Sequence, residues 1–215
     1  MTDRYPGYDV LKKRNSVSWN DQTRAVIDER LAIDPNRHEF FSDAEWQTLR
    51  AVCDRIAPQP ADRVPPVPLA AMVDRKLCET GSEGYRYAPL PSMRQAWRLG
   101  LAALDAESNV LHRRRFDQLG AAEQDGVLTA IQRGEVRARE WRDLPPADFF
   151  TRRVLHDIVG AYYSHPAAWS EIGFGGPASP RGYVRMNFDR RDPWEASEAR
   201  PGREAQARRE NARVG

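Results

Sequence analysis

Cysteine is nearly absent: Cys53 and Cys78 are the only two in 215 residues. That excludes a disulfide framework and any four-cysteine zinc or iron–sulfur site built from this chain alone. Both stand among apolar residues in helical patterns and read as buried thiols, which behave as small hydrophobes, in preference to a disulfide. No run of about 18 apolar residues occurs, so nothing here is built to span a bilayer. Residues 1–20 also lack the apolar stretch of about 7–15 residues that a signal peptide needs, and no twin arginine precedes one. The expectation is a cytoplasmic chain, or a periplasmic one if a partner supplies the export address. Lysine is confined to Lys12, Lys13 and Lys76, so arginine carries nearly all the positive charge. With 33 basic against 31 acidic residues the formal net charge is only +2, too small for a nucleic-acid or anionic-membrane binder working by field alone.

What is present is helical punctuation. Asn20 or Asp21 caps a helix through about Ile33, with Ala25, Val26, Ile27, Leu31 and Ile33 as an imperfect apolar stripe and Pro35 as its stop. Ser42-Asp43-Ala44-Glu45 is a capping box, with Phe41 placed to begin a hydrophobic staple. Trp46, Leu49, Cys53 and Ile56 then recur at spacings of three, four and three, which puts them on one helical face. A third helix carries Leu69, Met72, Val73 and Leu77 up to Gly81, and residues 82–91 form a loop. Ser92 caps a fourth, in which Met93, Trp97, Leu101 and Leu104 advance by four, four and three to about His112. Arg113-Arg114-Arg115 is the solvated, dipole-complementing end of that helix. Phe116 to Ile131 describes a fifth, entered through Leu119-Gly120 and closed near Gly134, and Pro145-Pro146 opens a last long one that ends at Ser164-His165-Pro166.

No stretch alternates apolar and polar residues long enough for a strand, and no internal repeat occurs. The fold class is therefore all-α: a compact bundle of about six helices, with an extended N-terminal arm and a Gly/Pro/aromatic-rich C-terminal loop and tail. At about 150 residues per domain, the length suits one domain with appendages. The expected division is an arm at 1–20, a helical domain at 21–186 and a charged tail at 187–215 that is disordered or clamped onto a partner.

The chain offers no self-contained catalytic constellation. His38, His112, His156 and His165 form no HExxH pair or other short ligand spacing, and structural histidines are the default. His156 lies near the apolar edge of the last helix, but as a base it needs an orienting partner that the sequence does not identify. Gly173-Phe174-Gly175-Gly176 follows no strand, and Pro177 removes one of the amide donors that a phosphate nest requires. The expectation is no catalytic, cofactor or metal residue in this chain.

Aromatics instead concentrate toward the C-terminus. Large rings anchor interfaces because they bury much area at low entropy cost. The candidate partner-interface residues are Tyr8, Trp19, Tyr163, His165, Phe174, Gly175, Gly176, Tyr183, Phe188 and Trp194.

These residues carry a resemblance. Ala161-Tyr162-Tyr163-Ser164-His165-Pro166, then Trp169 and Ile172-Gly173-Phe174-Gly175-Gly176-Pro177, resemble the C-terminal signature of the gluconate 2-dehydrogenase subunit 3 family. Phe41 to Leu49 leading to Asp54-Arg55-Ile56-Ala57-Pro58, then Gly100 to Asp105, Phe116 to Gln124 and Phe149-Phe150, are similar to that family's other segments, so the resemblance covers roughly residues 40 to 186. It implies a small non-catalytic subunit of a dehydrogenase that oxidises sugars, sugar acids or alcohols. A flavoprotein large subunit resembling glucose-methanol-choline oxidoreductases would bind FAD and abstract hydride, and a cytochrome c subunit would take the electrons. In many members the small subunit carries a twin-arginine signal; this sequence departs there. The alternative expectation is a free-standing helical binding or assembly factor that meets a flavoprotein only transiently.

Overall fold

The computed structural model describes residues 3–79, 87–179, 182–185, 188 and 190–214. Gly81, the expected end of the third helix, and residues 82–86 of the expected loop lie outside them. The described chain is all-α: α1 (Asp21–Leu31), α2 (Asp43–Ile56), α3 (Leu69–Glu79), α4 (Met93–His112), α5 (Ala121–Arg133), α6 (Pro146–Phe149), α7 (His156–Ser164), α8 (Pro166–Ile172) and α9 (Glu204–Asn211). Among the described residues the β-structure amounts to an isolated parallel bridge between Trp19 and Ser179. The chain divides into two compact units, one made of 34–162 and the other of both chain ends, 1–33 with 163–215.

In the central unit, α2 starts on the capping box: Ser42 Oγ accepts from the Glu45 amide and Glu45 Oε2 accepts from the Ser42 amide at 2.9 Å. Its apolar face buries Trp46, Leu49, Val52 and Cys53, while Ile56 is only partly covered. In α4 the residues at steps of four, four and three, Met93, Trp97, Leu101 and Leu104, are all buried. Arg113 closes that helix in the left-handed region at φ 58°, and Arg114 reaches across to Glu123 at 2.9 Å, so the basic run is a paired helix end. Edge-on aromatic contacts link Phe41 to Trp97 and Trp97 to Phe149, and Trp141 packs against Phe149 at 6.0 Å.

Loops in this unit are tied down by buried carboxylates, because a buried amide without an acceptor is costly. Asp74, 3% exposed, accepts from the amides of Glu39, Phe40 and Phe41. Glu107, fully buried, accepts from those of Arg137 and Ala138. Asp105 accepts from Phe116 N and Thr48 Oγ1 at 3.1 and 3.0 Å.

Two sequence expectations differ from this unit. The helix expected from Phe116 is a 3-10 turn, Phe116–Gln118, and then α5, because Gly120 takes an extended conformation and serves as the N-cap. The helix expected from Pro146 to Ser164 is interrupted by a π-helical turn, Phe150–Leu155, between α6 and α7.

The unit of chain ends has its own core: Tyr8, Val10, Trp19, Ile27, Trp169, Trp194 and Val214. The arm is not wholly extended, since Asp9 caps a 3-10 turn over Val10–Asn15 by accepting from the Leu11 amide. Asn20 caps α1, in which Ile27 is buried whereas Val26 and Leu31 are exposed, so the expected apolar stripe is not a packing face. Arginine does the fastening there: Arg24 donates to Trp19 O at 2.6 Å and Arg30 to Ser164 O at 2.9 Å. The tail lies on the arm. Ala199 N donates to Arg4 O at 2.8 Å, and the buried Asn211 side chain accepts from Ser197 N at 2.6 Å and donates to Pro6 O at 3.1 Å.

Candidate functional site

The glycine loop begins where α8 ends. Proline at the first helical position needs no amide partner, so Pro166 starts a new helix where the sequence reading placed only a stop. His165 is its N-cap, with Nδ1 accepting from the Ala167 amide at 3.2 Å. Trp169 in this helix is buried and donates from Nε1 to Tyr163 O at 2.6 Å. Gly173 then takes φ 68°, a left-handed conformation that glycine adopts without penalty.

What approaches this loop is the chain's own arm. A Cβ on Gly173 would stand 2.5 Å from the Tyr5 ring, and one on Gly176 would meet Trp169 at 3.0 Å and Trp19 at 3.1 Å. Lys13, 1% exposed, has its Nζ beside Gly175, donates to Ser18 Oγ at 3.2 Å and lies 5.2 Å from the Trp19 ring centroid. The loop is therefore a seat for aromatic rings. Tyr8 completes it by donating its hydroxyl to Trp194 O at 3.0 Å, and burial pushes that hydroxyl's pKa up to about 12.

The ten residues read from the sequence as an interface fall into two groups. Tyr8, Trp19, His165, Gly176 and Trp194 are buried inside this unit, and Gly175 is partly covered. Tyr163, Phe174, Tyr183 and Phe188 present exposed rings, Phe188 at 94% and Tyr183 at 70%. Phe174 stands edge-on against buried Trp169, with centroids 5.9 Å apart, and its ring lies at 28° to that of Tyr183. Beside this pair runs a cleft of about 340 Å³, bounded by the glycine loop, Arg185, Asp192 and Glu195. Glu195 accepts from Arg185 Nε and Nη2 at 2.9 and 2.8 Å and from Asp192 N at 3.1 Å. Burial raises the Glu195 pKa, but these donors outweigh it and hold the carboxyl below its ordinary value. Exposed aromatic side chains on a packed footing are what a protein interface uses.

The central unit holds a second polar cluster that sequence reading missed. His156 does have an oriented carboxylate, since its Nδ1 lies 3.2 Å from Asp157 Oδ1. That carboxylate is already engaged: Asp157, 3% exposed, accepts from Trp97 Nε1 at 2.7 Å and Lys76 Nζ at 3.0 Å, with Arg153 Nη1 at 3.7 Å. The arrangement neutralises a buried charge and fastens α3 and α4 beside the π-helical turn. Its signal was available: Asp157 follows Phe150 by seven and Val154 by three, so it sits on the apolar face. Of the remaining histidines, His38 stacks on Trp46 at 4.6 Å with Nε2 3.0 Å from Asp43, and His112 faces Glu123 at 3.6 Å. Both cysteines are free thiols, Cys53 buried and Cys78 3.8 Å from Asp74. Among the described residues no group of three or more His, Cys, Asp and Glu side chains is placed to hold a metal ion, and no helix is long and apolar enough to cross a membrane.

Comparison with known proteins matches the middle of the chain to one family. The family model described as gluconate 2-dehydrogenase subunit 3 matches residues 43–176, more than half of the chain, from the start of α2 to the last glycine of the loop. No curated protein and no solved structure matches.

Proposed function

The chain belongs to the gluconate 2-dehydrogenase subunit 3 family, and from that premise we propose that it is a non-catalytic small subunit assembling with an FAD-dependent large subunit. The large subunit, of the glucose-methanol-choline oxidoreductase type, would bind the flavin and oxidise a sugar, sugar acid or alcohol, with a cytochrome c as a further member that receives the electrons. Its flavin chemistry asks nothing of this chain beyond a surface.

The observation that carries the reading is the exposed pair of rings Phe174 and Tyr183, in which Phe174 stands on buried Trp169 near the end of the family-matched segment. Leaving such rings in water is unfavourable by about 25 cal/mol per Å² of apolar surface, which a partner's surface would recover. The cluster at Asp157 fits the reading, because Trp97, Lys76 and Arg153 hold and neutralise the buried carboxylate.

The test is turnover in three preparations: this chain alone, the large subunit expressed alone, and the two co-expressed, each with a panel of sugars, sugar acids and alcohols and an artificial electron acceptor. The reading expects no turnover from the chain alone and more soluble, active flavoprotein from the co-expressed pair. Turnover by the isolated chain would contradict it.

A further inference from the structure

The arm and the tail both lie outside the family-matched segment, yet they are packed onto its last helix and loop. The arm meets the glycine loop directly: Val10 N donates to Ser170 Oγ at 3.1 Å, the Tyr5 ring covers Gly173, and Lys13 sits at Gly175. This fixes the loop on both sides of Phe174. The tail fixes the other ring, because Glu195, next to buried Trp194, grips Arg185 with both oxygens two residues after Tyr183.

Arm and tail are also joined directly to each other. Tyr8 Oη donates to Trp194 O, Ala199 N to Arg4 O, and Asn211 bridges Pro6 O and the backbone of Ser197; Arg4 pairs with Glu198 at 2.6 Å. Asn211 is fully buried, so this join is part of the unit's interior and not a surface embellishment.

We propose that the two chain ends form a clasp that positions the docking ridge: the arm sets Phe174 through the glycine loop, the tail sets Tyr183 through Arg185, and only the closed clasp presents the pair to the large subunit. This rests on the subunit reading above and adds to it a conformational requirement. A ridge whose rings are held before binding loses less side-chain freedom on docking, which is where pre-organised interfaces gain affinity. Opening the clasp leaves the same residues in the chain and removes that advantage.

The experiment uses the full chain and the co-expressed large subunit, with two readouts on each variant. One is the rate of trypsin cleavage after Lys12 and Arg14, which needs no partner and reports clasp opening. The other is the affinity for the purified large subunit. Asn211→Ala, which touches neither ring nor loop, is expected to accelerate arm cleavage and to weaken the affinity by about tenfold. Tyr183→Ala is expected to weaken affinity with cleavage unchanged. Tyr8→Phe, which removes one hydroxyl and keeps the ring, is expected to move both readouts in the same direction as Asn211→Ala by a smaller factor, and serves if the Asn211 variant does not fold. Faster cleavage with wild-type affinity would overturn the clasp while leaving the subunit reading intact, and unchanged cleavage in both Asn211→Ala and Tyr8→Phe would overturn the clasp itself. Wild-type chain that binds no large subunit would overturn the subunit reading and this proposal with it.

Discussion

Gly100 faces Phe149 so closely that a methyl group in its place would lie 2.1 Å from the ring, which is itself fully buried between Trp97 and Trp141. The ring has nowhere to go, so Gly100→Ala is expected to destabilise the chain by about 1–3 kcal/mol, visible as a lower denaturant midpoint. Asp74 makes a parallel prediction from charge. Its two oxygens accept from three successive amides, whereas an asparagine offers one acceptor oxygen and an amide group facing donors. Asp74→Asn should therefore cost about 1–3 kcal/mol, measured in the same unfolding assay, because at least one buried amide is left unsatisfied. At this scale the sequence was partly legible. The apolar spacing of Trp97, Leu101 and Leu104 marked them as core, but nothing in the sequence marks Asp74 and Glu107 as interior, since their partners are loop amides far along the chain. Only the position of Asp157 on an apolar face hinted at burial.

Elements were legible wherever a cap announced them. The capping box of α2 is formed as its four residues specify, and Ser42→Ala should destabilise that helix by about 0.5–2 kcal/mol, read as a loss of amide protection in its first turn. Where proline alone carried the signal the reading divided: Pro166 starts a helix instead of ending one, because its predecessor His165 supplies an N-cap acceptor that histidine rarely advertises. The tail was legible in composition only. Its Arg and Asp/Glu alternation looks solvated, yet it carries Trp194, Ala207, Asn211 and Val214 into a core and forms α9. Its carboxylates also give it a pH dependence. Hydrogen bonds from Ser197 and Gln206 hold the Glu210 carboxyl below its ordinary value of 4.5, and Arg185 does so for Glu195 against the opposing effect of burial. A carboxyl with a depressed folded pKa contributes stability above its unfolded pKa and loses it as pH falls through the folded one. The tail is therefore expected to loosen below about pH 4.5, with tryptophan fluorescence shifting as Trp19, Trp169 and Trp194 become exposed. A shift completed well above pH 6 would contradict this assignment.

At the scale of the whole molecule, buried polar groups hold elements together and part of the aromatic set stays at the surface. Several polar side chains fasten the fold: Asp157 binds α3 and α4, Glu107 and Asp74 bind loops, and His165 caps a helix. The aromatics that sequence reading grouped as one interface are divided by burial into covered rings, Tyr8, Trp19 and Trp194, and exposed ones, Tyr163, Phe174, Tyr183 and Phe188. That division was not readable from composition, because buried and exposed rings alike stand in segments without helical period, and long-range contacts of arm, loop and tail decide which are covered. The discontinuous unit makes a prediction of its own. Asn211→Ala should raise amide exchange across residues 3–33 and 163–214 while leaving the protection of α2 to α5 at wild-type levels, since each unit has its own core.

The proposed assembly of this chain with a flavoprotein is tested by size-exclusion chromatography with inline absorbance at the flavin band, run on the chain alone and on the chain co-expressed with the large subunit. The chain alone is expected to give a colourless peak, and the pair a single yellow peak containing both polypeptides in fixed ratio. A co-expressed chain that elutes colourless and apart from the flavoprotein would contradict it.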